Sequence, residues 1–121
     1  MTSERNDTIA AVATGTGGAV ALIRISGERA VPIGDVLFRN IQGKPLSTQK
    51  GYTIHYGTIR DGETVIDEVL VSLFRAPHSY TGEDMIEISC HASDYILRRV
   101  MELAIRHGAR TARPGEFTLR A

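Results

Sequence analysis

The stretch Ala19 to Ser26 (AVALIRIS) most narrows the folds open to this chain. It is apolar on both sides of an extended strand, so both faces need cover, and such a strand sits inside a sheet. One residue interrupts it, Arg24. A guanidinium in an apolar strand needs an acceptor, because burying it unpaired is costly. Met85 to His91 (MIEISCH) has the same feature with opposite sign. Alternation puts Ile86, Ile88 and Cys90 on one side and Glu87, Ser89 and His91 on the other. Two readings stand side by side. Arg24 and Glu87 pair with each other or lie on exposed sheet, or one or both face a cavity and hold a polar ligand.

The rest of the chain supplies the sheet's other parts. Thr8 to Ala13 reads as a first strand, and Thr14 to Gly18 as a glycine-rich turn joining it to Ala19–Ser26. Ser26-Gly27 opens a helix running to Phe38, which Pro32 either kinks or begins. Asn40 to Gly51 is a polar loop. Tyr52 to Arg60 and Val65 to Phe74 read as a hairpin about Asp61-Gly62. Ala76 to Gly82 is a loop. Ser93 caps a helix to His107 with Ile96, Val100 and Leu103 on one face, ended by Gly108. Arg110 to Arg113 is extended, and Pro114-Gly115-Glu116 starts a further helix. The pattern predicts an α+β domain: a mixed sheet of about five strands with about three helices. Residues 1–121 make a single domain.

Composition excludes more than it selects. Lys+Arg and Asp+Glu are equal at 14 each, so no global charge draws nucleic acid or an anionic membrane. Arg98, Arg99, Arg106, Arg110, Arg113 and Arg120 face only Glu102 and Glu116 in the last stretch. They form either a solvated helix face and tail or a basic surface for RNA or an acidic partner. A single cysteine, Cys90, allows no internal disulfide and suits a reducing compartment. No run is apolar enough to span a bilayer, so the expected location is the cytoplasm.

The chemical motifs are mostly negative. The glycines lack the Lys-Ser/Thr of a P-loop, and Val20 stands where a dinucleotide fingerprint needs a third small residue. His55, His78, His91 and His107 lack metal-ligand spacing, and Cys90 and His91 point to opposite faces. Nothing completes a nucleophilic triad beside His78, Ser79, Tyr80 and Thr81. The residues by themselves describe a binding domain with a polar pocket near Arg24 and Glu87.

Four blocks together resemble the family of the tRNA-modification GTPase MnmE (TrmE). They are Asp7 to Thr14, Gly17 to Gly27, Ala76 to Glu87 with Cys90-His91, and Ala112 to Ala121. The resemblance implies the family's N-terminal domain, without its helical and GTPase domains. It implies a two-layer fold like folate-binding domains of one-carbon enzymes, homodimerisation, and a tetrahydrofolate ligand such as 5-formyl-tetrahydrofolate. The full-length family, with the flavoprotein MnmG, modifies C5 of the wobble uridine in tRNA. GTP, potassium and magnesium belong to the GTPase domain, and no catalytic residue is assigned here. The family's folate contacts fall on Arg24 and Glu87, with a further lysine past Ala121. Tyr80 offers a stacking surface, and His91 is another candidate contact. Ala92 stands where the family usually has glycine. Two alternatives stand beside it: an interaction-only module whose folate binding needs sequence past Ala121, or a stand-alone folate-dependent one-carbon transferase.

Overall fold

The computed structural model describes residues 7–13 and 18–121. Most of the expected glycine turn, 14–17, lies outside the described residues. Seven strands and three helices follow in order: β1 (Ile9–Val12), β2 (Val20–Ser26), α1 (Ala30–Leu37), β3 (Phe38–Asn40), β4 (Thr53–Asp61), β5 (Thr64–Phe74), β6 (Met85–His91), α2 (Asp94–Arg106), β7 (Arg110–Thr111) and α3 (Glu116–Arg120). The strands form one sheet in the order β3-β4-β5-β6-β2-β1-β7. Only β1 and β7 pair in parallel among the described strands, so the sheet is mixed and the fold α+β.

β2 occupies the inside position that its apolar run demands, between β1 and β6. Ile23 and Ile25, with Ile86 and Ile88 of β6 and Val69, Val71 and Leu73 of β5, point to one face. α1 and α2 cover that face, giving a helix layer on a sheet layer. Ile33 and Leu37 of α1 and Val100 and Leu103 of α2 are all 1% exposed or less. Fully burying side chains of this size stabilises by about 1.5–3 kcal/mol each.

The described residues form seven strands where about five were expected. The extra two are short edge pieces. β3 emerges directly from α1, at the head of a segment read as loop. Its approach needs Gly57: a Cβ there would lie 2.8 Å from the Phe38 ring and closer still to the Arg39 carbonyl oxygen. β7 is the extended Arg110 piece, paired with Ile9 and Ala10. α1 also differs in detail. It starts at Ala30, so Pro32 neither kinks nor begins it. Pro32 lies in the first turn, where the backbone N–H groups have no intrahelical partner anyway. No helix among the described residues is long and apolar enough to cross a membrane.

Candidate functional site

Alternation along β2 and β6 puts Arg24, Ser26, Glu87 and Ser89 on the face away from α1 and α2. Arg24 and Glu87 are direct cross-strand partners. Arg24 Nε donates to Glu87 Oε2 at 2.6 Å. The two side chains are 28% and 17% exposed, so the pair is half-buried rather than sealed. The two charges pair with each other, and Arg24 also lines a cleft of about 350 Å³. Ala11, Ala13, Pro114, Phe117 and Thr118 complete much of its wall.

Tyr80 joins them from the loop between β5 and β6. The Arg24 guanidinium lies 5.1 Å from its ring centroid, a cation–π distance. The Tyr80 hydroxyl lies 3.3 Å from Thr118 Oγ1 on α3. Fold therefore brings Arg24, Glu87 and Tyr80 together. His91 is not brought to them. It lies roughly 13 Å along β6 from Glu87 by strand geometry. Its ring Nδ1 is 2.8 Å from Asp67 Oδ1, and its backbone N–H donates to Asp67 Oδ2 at 2.8 Å. Cys90 is 3% exposed on the helix-covered face. Burial, with the Asp67 charge second, pushes its thiol up to about 11, so it stays protonated and inert at neutral pH.

A polar network below Arg24 was not read from the sequence. Ser26, 0% exposed, donates to Glu83 Oε1 at 2.8 Å and sits 2.6 Å from Thr81 Oγ1. Arg120 Nη1 reaches Glu83 Oε1 at 3.1 Å and the Asp7 carbonyl oxygen at 2.7 Å. Glu116 binds Arg110 at 2.7 Å and Arg120 at 3.3 Å. The Arg110 bonds are the main reason its carboxyl is held down to about 2, against the opposing effect of burial. One sequence signal for this cluster existed: Glu116 and Arg120 stand one helical turn apart, the spacing of a same-face pair. The network also shows where the basic C-terminal stretch goes. Arg98, Arg99, Arg106, Arg110 and Arg120 each meet a carboxylate.

Chemically, the site suits a ligand with paired N–H donors and a nearby acceptor. Glu87 keeps acceptor capacity on Oε1, and a guanidinium has more donors than its one bond to Glu87 uses. Among the described residues no group of three His, Cys, Asp or Glu side chains converges on a point that would hold a metal ion.

The family model described as "GTP-binding protein TrmE N-terminus" matches residues 8–121. The chain belongs to that family. It is 60% identical over 116 residues to the tRNA modification GTPase MnmE of Bacteroides thetaiotaomicron, covering 95% of this chain and 25% of that protein. It is 59% identical over 116 residues to the MnmE of Bacteroides fragilis strain YCH46, with the same coverage. To the MnmE of Bacillus velezensis it is 51% identical over 118 residues, covering 95% of this chain and 26% of the relative. The chain thus spans about a quarter of the length of these MnmE relatives. The cleft at Arg24 and the side chains of Glu83, Glu116 and Arg120 all lie within the TrmE N-terminal match.

Proposed function

We propose that this chain is a tetrahydrofolate-binding and homodimerising domain of a tRNA-modification GTPase acting on C5 of the wobble uridine. The observation that supports it most is the half-exposed Arg24–Glu87 pair beside Tyr80 and the 350 Å³ cleft. A pterin ring presents a ring N–H and an amino group side by side, which a carboxylate accepts as a two-pronged contact. Glu87 takes that role. Arg24 orients Glu87 and donates to a ligand carbonyl or carboxylate. The Tyr80 ring flanks the bound molecule. The ligand is 5-formyl-tetrahydrofolate or a close relative. GTP hydrolysis, with its magnesium and potassium, is assigned to the GTPase domain of the full-length protein, with MnmG as the partner and tRNA as the substrate of the full-length complex.

The occupant of the remaining sheet face is a second copy of the chain. Val20, Ile54 and Leu70 lie on that face at 61%, 67% and 46% exposed. Exposed apolar residues grouped on one sheet face mark an association surface.

Titration calorimetry with 5-formyl-tetrahydrofolate tests the ligand. The expected outcome is that Glu87→Ala weakens binding by about tenfold or more, the scale of a lost hydrogen bond to a charged group. Equal affinity of the two proteins would remove Glu87 from the site. A protein that dimerises but ignores folate would favour the interaction-only reading instead.

A further inference from the structure

Glu116, Phe117 and Thr118 of α3 line the cleft at Arg24, and side-chain links tie that helix to the β5–β6 loop that carries Tyr80. There are two of them. Tyr80 meets Thr118 at 3.3 Å. Glu83 meets Arg120 at 3.1 and 3.2 Å through its two carboxylate oxygens. The second link is the more buried, since the Arg120 and Glu83 side chains are 6% and 27% exposed whereas Tyr80 of the first is 47% exposed.

Arg120 is the hub of this arrangement. Besides Glu83, it holds the Asp7 carbonyl just ahead of β1 and Glu116 on its own helix. Glu83 in turn accepts from Ser26, which shares its strand and face with Arg24. Ser26 has one hydroxyl proton, which it gives to Glu83. Thr81 is therefore the donor in their 2.6 Å contact. A chain of short polar contacts thus runs from α3 through the loop to the strand that carries Arg24. Removing the guanidinium would leave the Glu83 and Glu116 carboxylates close together without the charge between them, and like charges so placed repel.

We propose that Arg120 is a positioning residue for the Arg24–Glu87 site, clamping Tyr80 and α3 together so that ligand binding and α3 docking are coupled. The coupling rests on the folate reading above; the clamp does not. Because coupling is reciprocal, a ligand against Arg24 and Tyr80 tightens α3, and anything that displaces α3 weakens the ligand.

Amide hydrogen exchange and calorimetry on the same proteins test this. In Arg120→Met, amides of 79–84 and 118–121 are expected to exchange faster, while those of Ile23 and Ile88 keep their protection. Affinity for 5-formyl-tetrahydrofolate is expected to fall about tenfold, within the usual range of coupling between sites. Arg120→Lys is expected to recover most of both effects. A loop that exchanges at the wild-type rate in Arg120→Met, or one that loosens with affinity unchanged, overturns the proposal. If Arg120→Met does not fold, Glu83→Gln serves with the same readouts, since it keeps an acceptor for Ser26 and removes the charge. If the wild-type chain does not bind folate, the ligand reading fails, and the exchange data decide the clamp by themselves.

Discussion

Glu116 shows how much one side chain can hold in a domain of this size. It receives two N–H groups from the Arg110 guanidinium at 3.0 and 2.7 Å and the Arg113 backbone N–H at 2.9 Å. All three favour the charged form, led by Arg110, and hold its carboxyl near 2 instead of 4.5. A carboxyl depressed on folding stabilises the protein at any pH above its unfolded value. That contribution disappears as pH falls through the folded value. For Glu116 the loss begins below about 4.5 and is complete near 2. Glu116→Gln is expected to lower the thermal midpoint at neutral pH and to flatten its decline in acid. Thermal unfolding followed between pH 7 and pH 2 checks this, and superimposable profiles would refute it. Arg24 and Glu87 were legible in the sequence because each is an anomaly in an apolar run. Glu116 was not, since an acid in a first helical turn is ordinary there.

Elements differ in how much of their existence is local. α2 is almost wholly local. Its apolar positions repeat at helical spacing, its core side reads Val100 and Leu103, and Ser93 accepts from the Ile96 N–H at its start. Ser93→Ala is expected to cost about 1 kcal/mol, the usual value of an N-cap, measured as a lowered denaturant midpoint with an unchanged slope. α1 is local in its body and not at its start, because proline is acceptable throughout a first turn and does not mark one residue. α3 is preceded by Gly115, whose φ of 76° is a left-handed conformation that suits glycine. β3 and β7 lie at the other extreme. Strands of three and two residues carry no periodicity, and each exists because a neighbouring strand offers hydrogen bonds. The count of about five strands was short by these two pieces.

At the scale of the molecule, the two faces of the sheet have separate histories. One buries the main core under α1 and α2. Among the described residues the other is closed at one end, where Ile9 and Met85 lie at 0% and 1% exposed, and open toward Val20, Ile54 and Leu70. Its open part supports the proposed self-association. Leu70→Glu adds a charge to a residue already 46% exposed in the single chain. It is expected to yield a folded monomer by sedimentation, with the circular dichroism of the parent. A variant that stays as dimeric as the wild type would place the contact elsewhere. The sequence by itself determined the α+β class, the inside position of β2, the two charges that do not fit their strands, and the family. Those are properties of periodicity and composition within short windows, and local sterics and burial act on that scale. Only the tertiary structure decided that Arg24 and Glu87 face each other, that Tyr80 closes over Arg24 while His91 turns to Asp67, and that Arg120 returns to grip Glu83. A pattern says which side of an element is apolar. It does not say which distant charge will satisfy a polar group, because that partner is chosen by strand register and chain reversal across long stretches of sequence.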